Sequence, residues 1–288
     1  SSGVNRYVMD RWYQWGYAAI PSRITGTNGS QYGVRLQHND ATSNSFSAFS
    51  STLEKRNIVH TIGKHLTLTF WMRKGSAFTG NMACQIVART DSEAKINSGT
   101  NVTIANQNVA SSLTTSWQKF TINTTQVVPT TEVIGVNFWH SGTSGTDANN
   151  YFEVSQVQLE VDHTGSGVAT DFEHIIPTDE LRRCKRYFQK AGGSHWGATE
   201  GSNQFRIQVN LEPEMRAAPT VTVRSGCKFN TRYSGDTTIT DPTLASTASQ
   251  SRNVWTGISS SGLTGGTPVY GRSQQGDTGD FMACDAEL

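Results

Sequence analysis

Several segments of the chain alternate between apolar and polar residues with a period of two, which is typical of strands that bury one face. In the segment 65–75, HLTLTFWMRKG, one side carries four apolar residues: Leu66, Leu68, Phe70 and Met72. The alternation recurs at 30–38, 117–122, 132–142 and 154–161. Glycine, serine and asparagine turns separate these segments and helix signals are few, so the pattern predicts an all-β, antiparallel sandwich.

The segment 154–161 is followed by the sequence HTGSG, which predicts a Gly/Ser hinge, and then by a short amphipathic helix. The apolar stripe of this helix is expected to pack under one domain while its basic side stays in water. The stripe consists of Leu181, Cys184, Tyr187 and Phe188. Alternation resumes beyond it, so we predict a sandwich domain at 1–162, a junction at 163–190 and a smaller β-rich distal domain at 191–288.

Composition narrows the classes of partner. The 288 residues carry a net charge of +1, which gives no basic footprint for nucleic acid. No apolar run approaches the ~20 residues that would cross a bilayer, so membrane insertion is not expected. The four cysteines form no C-x-x-C pair and have no histidine at ligand spacing, so they indicate neither a zinc site nor a redox motif. Free thiols are the expectation, in keeping with assembly in a reducing cytoplasm.

Catalytic motifs are not apparent in the sequence. It contains no G-x-S-x-G elbow, phosphate-binding loop or H-E-x-x-H pair. A glycosidase would need two carboxylates across a cleft, and several acids lie around the end of the segment 154–161. These are Glu153, Glu160, Asp162, Asp171 and Glu173. Acids in such a place are usually solvated, so we expect no enzymatic activity.

The polar sides of the strands suggest a binding surface instead. Tryptophans there accompany arginine and amide side chains, and a sugar ring can stack on an indole while its hydroxyls bond to planar polar groups. The candidate residues are Trp71, Arg73, Asn137, Trp139 and Trp117. The alternative is that these side chains are buried under another sheet, loop or subunit.

Two further groups of aromatic residues are notable. Near the start of the chain, Trp12 and Trp15 fall on opposite faces of a predicted strand, so one of them is expected in the core. In the distal domain, an alternative binding site is expected in exposed loops, where binding residues concentrate. Its candidates are Trp196, Tyr233, Trp255 and Tyr270.

The arrangement of motifs resembles a module of bacteriophage tail fibres and related virion appendages. The motifs are MDRWYQW, HLTLTFWMRK, SWQKFTI and, most specifically, FEVSQVQLEV followed by ATDFEHIIPTDELRRCKRYFQK. In that family a jelly roll similar to carbohydrate-binding modules ends in such a strand, and the A-T-x-F-E signature leads to a distal domain. Later MRAAPTVTV and the terminal DAEL also look like that distal domain, whereas 225–279 carries no resemblance.

The resemblance implies a homotrimeric virion protein, assembled in the host cytoplasm together with other tail proteins. The expected function is non-enzymatic attachment to bacterial cell-surface polysaccharide or lipopolysaccharide. Two alternatives remain open: a structural fibre, capsid or neck decoration protein without a glycan ligand, and a fragment of a polysaccharide depolymerase. No cofactor is expected. Resemblance to carbohydrate-binding modules allows a structural calcium ion, although no local cluster of acids requires one.

Overall fold

The structure is a computed structural model. It describes residues 4–9, 11–16, 19–38, 46–141, 146–191, 195–199, 204–223, 228–231, 235–238, 244–249, 251, 253–259, 268–272 and 282–286. The chain forms two compact units, Ser1–His174 and Ile175–Glu287.

Strands dominate the described part of the first unit. They are β1 (Val4–Met9), β2 (Trp12–Gly16), β3 (Ala19–Thr25), β4 (Tyr32–His38), β5 (Phe46–Leu53), β6 (His65–Lys74), β7 (Asn81–Arg89), β8 (Asn101–Asn108), β9 (Gln118–Asn123), β10 (Val133–Ser141) and β11 (Tyr151–Asp162). A short helix α1 (Lys55–Ile58) and a 3₁₀ turn (Val59–Thr61) lie between β5 and β6.

These strands pair antiparallel in two sheets. One sheet has the order β1-β2-β5-β10-β7-β8 and the other the order β3-β4-β11-β6-β9. Without the edge strands β1, β2 and β3, the eight strands β4 to β11 divide four to each sheet and cross between the sheets in the jelly-roll order. The predicted all-β jelly-roll sandwich is therefore confirmed.

The apolar sides of both sheets face each other and form one core. Leu66, Leu68, Phe70 and Met72 of β6 are fully buried there, together with Phe138 of β10. Phe70 and Phe138 meet edge to face with ring centroids 5.0 Å apart. The inner positions that the period-two alternation predicted for β6 and β10 are confirmed.

The segment after β11 is a hydrogen-bonded turn and not the predicted hinge. The Asp162 carboxylate accepts hydrogen bonds from the backbone amides of Gly167, Thr164 and Gly165 at 2.6, 3.0 and 2.8 Å. These bonds, above all the one from Gly167, lower the pKa of Asp162 to about 2. Gly167 has a φ of 73°, which a glycine adopts without strain.

Beyond this turn, the chain returns along β11. The Glu160 carboxylate accepts hydrogen bonds from the amide and hydroxyl of Thr170 at 2.8 and 2.5 Å. Gln158 bonds to Asp171 and to the amide of Glu173. The first compact unit thus includes a segment that the sequence assigned to a separate junction.

The second unit is also mostly strands. It contains α2 (Pro177–Cys184), β12 (Phe188–Ala191), β13 (His195–Thr199), β14 (Gln204–Asn210), β15 (Thr220–Val223), β16 (Lys228–Thr231), β17 (Gly235–Thr238), β18 (Leu244–Ser249), β19 (Asn253–Ser259), β20 (Pro268–Arg272) and β21 (Met282–Asp285). The strands pair antiparallel in sheets of order β12-β21-β15 and β17-β16-β20-β13-β14-β19-β18.

The predicted packing of the helical stripe is wrong. Leu181 is 56% exposed, and Phe188 is 41% exposed and begins β12 instead of extending the helix. Only Tyr187 of the stripe is fully buried, and it lies after the end of α2. Backbone pairing of Phe188 with Asp285 takes this part of the chain into a sheet, which the helical period could not predict.

Among the described residues, Cys84, Cys184 and Cys284 form no disulfide; Cys84 and Cys284 are buried and Cys184 is half-buried. Cys227 lies outside the described residues. Within the described part of the chain, no three histidine, cysteine or acidic side chains come together as a metal site would require. A search of the same residues finds no helix with the length and apolarity to span a membrane.

His140 is a polar residue in the sandwich core. It is 1% exposed, and the rings of His38, Phe78 and Phe152 surround it at centroid distances of 5.4 to 5.9 Å. Neither of its ring nitrogens has a hydrogen-bond partner among the described residues. Burial, and secondarily the charge of His38, lowers the pKa of His140 to about 3.

We therefore expect acid to destabilise the sandwich through His140. The unfolded chain protonates this histidine near its ordinary pKa of about 6.5, whereas the folded protein keeps it neutral until about pH 3, so unfolding takes up a proton in between. The free energy of unfolding should fall by up to about 1.4 kcal/mol per pH unit as the pH decreases below about 6.5. Chemical unfolding at pH 7 and pH 5 would measure it. His140→Phe should remove this component, and an equal slope in both proteins would contradict the assignment.

Candidate functional site

The five sandwich residues predicted to bind sugar do not form one surface. Trp71 and Arg73 lie on the outer face of the five-stranded sheet, where Arg73 stacks on Trp117 with its guanidinium carbon 4.8 Å from the ring centroid. Asn137 and Trp139 belong to β10 of the six-stranded sheet. Alternation within a strand shows which side chains point outward but not which sheet contains the strand. The sequence-based prediction therefore grouped residues of two opposite faces into one binding surface.

The outer face of the six-stranded sheet carries two tryptophans in one cross-strand row. Trp15 pairs with Ala48, Ala48 with Trp139, and Trp139 with Ala83. Directly paired residues point to the same side of a sheet, so the two indoles flank a small, buried alanine. Phe46 adds a third ring, packed edge to face on Trp15 at 5.4 Å. Both tryptophans are half-buried, which leaves part of each ring accessible.

The adjacent row consists of amides held by hydrogen bonds. Trp15 Nε1 donates to Ser50 Oγ at 2.9 Å, Ser50 Oγ donates to Asn137 Oδ1 at 2.8 Å, and Asn137 Nδ2 donates to Gln85 Oε1 at 2.9 Å. Gln85 is half-buried and pairs with the exposed Asn106 on β8. The two rows together form what we call the aromatic–amide face: Trp15, Phe46, Gln85, Asn106, Asn137 and Trp139.

The hydrogen-bond chain fixes the side chains of this face while leaving donors available. Asn137 is only 4% exposed, so it positions Gln85 and does not itself present a surface. Within the described part of the chain, the Gln85 amide nitrogen and the Trp139 indole nitrogen have no protein acceptor. Both lie on half-buried side chains, so they can donate hydrogen bonds to a ligand.

The loop 90–100 forms a wall at one end of the face. Ile96 packs on Gly135, where an added Cβ would lie 2.5 Å from the Ile96 side chain, so a larger residue here would displace Ile96. The guanidinium of Arg89 holds the loop through bonds to Asp91 and to the carbonyl oxygens of Lys95 and Ser98. These bonds make the loop part of the sandwich surface.

The buried hydroxyl of Tyr13 joins the loop to the sheet. It bonds to Thr52 Oγ1 at 3.1 Å and accepts a hydrogen bond from the Ile96 amide at 3.0 Å. Burial raises the pKa of Tyr13 to about 12, so the hydroxyl stays protonated at neutral pH.

Sequence reasoning missed most of the aromatic–amide face and did not propose Trp15 as a binding residue. It identified Asn137 and Trp139, and it placed Trp12 and Trp15 on opposite sides; the structure confirms this, since Trp12 stacks on Phe49 at 4.5 Å in the core. It missed Phe46, Gln85 and Asn106. A signal for Gln85 was present, because it is the single polar residue within the apolar run 82–88.

The expectation of solvated acids is wrong for Glu153. Its side chain is fully buried on the outer side of β11 and forms ion pairs with Arg35 and Arg73. The two arginines lie directly opposite Glu153 on β4 and β6. Opposite charges on neighbouring strands compensate each other, which allows burial of the carboxylate.

The distal candidates differ from expectation in their local structure. Trp196, Trp255 and Tyr270 lie in strands β13, β19 and β20 and not in loops, and Trp196 pairs with Tyr270 across β13 and β20. Tyr233 lies outside the described residues, as do the side chains of the other three.

No family model matches the sequence, and no curated protein sequence is similar to it. Several solved structures resemble part of the chain, among them the following three. A carbohydrate-binding module from the β-sandwich superfamily is 9% identical, with a TM-score of 0.41 and coverage of 53% of this chain and 58% of that one. The enzymatically active domain of tailspike protein 4 from bacteriophage CBA120 is 16% identical, with a TM-score of 0.38 and coverage of 53% and 19%.

The third structure contains the carbohydrate-binding and catalytic modules of Clostridium thermocellum endo-1,4-beta-D-xylanase 10B in complex with xylohexaose. It is 13% identical, with a TM-score of 0.36 and coverage of 52% and 26%. This chain thus spans less than two thirds of the length of each of the three. At TM-scores below 0.5, none of these likenesses assigns a fold or a ligand to this chain.

Removing the Tyr13 hydroxyl should destabilise the loop 90–100 at the end of the aromatic–amide face. In Tyr13→Phe the amide of Ile96 loses its acceptor, and an unsatisfied buried donor costs about 1–3 kcal/mol of unfolding free energy. Hydrogen exchange at the Ile96 amide should accelerate in parallel. The control is Tyr151→Phe, because the Tyr151 hydroxyl has no partner within the described residues; it should change stability by no more than about 0.5 kcal/mol. Equal behaviour of the two variants would contradict the role given to Tyr13.

Proposed function

We propose that this chain is a non-enzymatic attachment protein of a bacteriophage tail fibre and that it binds bacterial cell-surface polysaccharide through the aromatic–amide face. The observation that carries this proposal is the pairing of the Trp15–Ala48–Trp139 row with the hydrogen-bonded row Ser50–Asn137–Gln85. Flat rings can stack on the C–H faces of a sugar, and the neighbouring donors can bond to its hydroxyls.

The ordering of this face favours binding. Ser50 and Asn137 fix the indole of Trp15 and the amide of Gln85 before any ligand arrives, so little side-chain freedom is lost on association. The alanines between and beside the indoles, Ala48 and Ala83, are small and buried. A chain of sugars lying across the strands would contact both rings.

The same rows support binding without cleavage. Hydrolysis of a glycosidic bond ordinarily uses two carboxylates that face each other across the bond. The outward residues of the two rows are aromatic, amide, serine and alanine side chains, and none of them is a carboxylic acid. Depolymerase activity is therefore the less favoured reading of this face.

A trimeric fibre would suit such a site. Contacts between a sugar and a few exposed rings are individually weak, and three linked copies raise the apparent affinity without any new contact. The proposal accordingly places the protein in the virion, after assembly in the host cytoplasm with other tail proteins. It takes the resemblance of the A-T-x-F-E signature to tail-fibre modules as its support for this location.

Trp139→Ala tests the face. We expect saturable binding of the wild-type protein to an array of bacterial surface polysaccharides, and about tenfold weaker binding by the variant, equivalent to the loss of about 1.4 kcal/mol. Trp71→Ala is the matched control, because Trp71 is also a half-buried outward tryptophan but lies on the opposite sheet. Its binding should equal that of the wild type.

Light scattering and a reducing-end assay complete the experiment. Loss of the oligomer in Trp139→Ala would assign Trp139 to a subunit interface and favour a structural virion protein. New reducing ends after incubation with polysaccharide would instead show a depolymerase. Weaker binding by Trp71→Ala alone would move the glycan site to the other sheet.

A further inference from the structure

The outer face of the five-stranded sheet contains a polar cavity that the proposed glycan site does not use. Its volume is about 490 Å³, and three arginines from neighbouring strands line it together with one acid. Arg35 on β4 and Arg73 on β6 lie on either side of Glu153 of β11 on the outer face. Arg23 lies on the edge strand β3, where it pairs with the core residue Val34, and it lines the cavity from the edge of the sheet. All of these residues belong to the first compact unit.

The buried acid compensates only part of the positive charge. The Glu153 carboxylate accepts hydrogen bonds from Arg35 Nε at 2.7 Å and from Arg73 Nε, and its other contact with Arg35, through Nη2, is 2.6 Å. Three guanidinium groups against one carboxylate leave two positive charges at the cavity. The side chains of Arg35 and Arg73 are about one third exposed, so these charges are accessible from solvent.

Several guanidinium donors remain available. In the part of the chain that the structure describes, Arg35 Nη1, both Nη atoms of Arg73 and the whole guanidinium of Arg23 have no protein acceptor. Guanidinium groups bind carboxylate and phosphate oxygens through two parallel N–H donors, which makes such groups specific for oxyanions.

Each arginine is also held in place by an aromatic ring. The guanidinium carbons of Arg23, Arg35 and Arg73 lie 4.6, 3.8 and 4.8 Å from the ring centroids of their partners. The partners are Tyr32, Tyr151 and Trp117 respectively. Stacking restricts the arginine rotamers, so less conformational entropy is lost when a ligand binds.

We propose that this cavity is an oxyanion site, which binds a carboxylate or phosphate group such as those of acidic glycans. Glu153 holds Arg35 and Arg73 so that their outer Nη donors face the cavity, and Arg23 closes its third side. Sequence reasoning found Arg73 and Trp117 as sugar-binding candidates, but the structure gives them an anion-binding arrangement. The site lies on the opposite sheet from the aromatic–amide face, and its existence does not depend on the function of that face.

Isothermal titration of the full chain with three probes tests the proposal. Trigalacturonate presents sugar carboxylates, inorganic phosphate presents the oxyanion alone, and maltotriose is a neutral sugar. We expect saturable binding of trigalacturonate, phosphate or both with a Kd of about 1 mM or lower. The titration curve of maltotriose should be the same for the wild type and for Arg23→Gln, because this sugar carries no anionic group. Binding of trigalacturonate alone would identify a carboxylate site, and binding of phosphate alone a phosphate site.

Arg23→Gln should weaken anion binding about tenfold, since it removes one charged pair of donors. The variant leaves both ion pairs of Glu153 intact, so it should fold normally. Lys119→Gln is the charge-matched control: Lys119 is an exposed cation on the same sheet face, paired with Trp71 and outside the cavity. Its affinity should equal that of the wild type.

The proposal is overturned if neither anion shows saturable binding, or if Lys119→Gln weakens binding as much as Arg23→Gln does. Trp139→Ala should leave the anion affinity unchanged. A loss of polysaccharide binding in that variant with intact anion binding would separate the two sites, whichever of them is the one that attaches the protein to a cell.

Discussion

The edge-to-face contact between Phe70 and Phe138 joins the two sheets of the sandwich, and the positions of all outward residues on β6 and β10 depend on it. Both rings are fully buried. In a pleated strand successive side chains alternate between faces, so burying Phe70 turns Trp71 outward and burying Phe138 turns Asn137 and Trp139 outward. A shift of one residue in either strand would bring those polar side chains into the core. The aromatic packing between the sheets therefore fixes both candidate surfaces at once, without contributing a ligand contact to either.

Much of this arrangement follows from the sequence because a buried face leaves a period-two record in each strand. The inner residues of β6 and β10, the outward direction of Trp71 and Trp139 and the antiparallel sandwich were predictable from this pattern, and the jelly-roll class from the resemblance to tail-fibre modules. The pairing of strands was not, since alternation carries no information about which sheet a strand joins. The burial of Glu153 likewise depends on Arg35 and Arg73, which are distant in sequence and become its neighbours only through strand order. The prediction of a helical apolar stripe failed for a related reason. Backbone pairing with β21 places Phe188 in strand β12, so hydrogen bonds to a distant strand outweighed the helical spacing of the local sequence.

The two outer faces of the sandwich have different chemistry. One presents indole and phenyl rings beside amides that are already hydrogen-bonded to each other, an arrangement suited to an uncharged ligand. The other presents guanidinium groups stacked on aromatic rings around a buried carboxylate, an arrangement suited to an anion. If both proposals hold, one domain would select a polymer by two criteria, and each face could change its preference without disturbing the core that separates them.

The return of the chain along β11 determines where this protein can be divided. The carboxylates of Asp162 and Glu160 and the amide of Gln158 all bond to the segment 163–173. A truncated protein that ends at Asp162, where the alternating pattern stops, would keep every strand of the sandwich but would remove the partners of these three side chains. Two of the three are acids, and backbone amides of the segment 163–173 stabilise their negative charges. Recombinant fragments and domain exchanges should therefore keep the chain through His174, because the segment 163–173 packs on β11 and belongs to the sandwich domain.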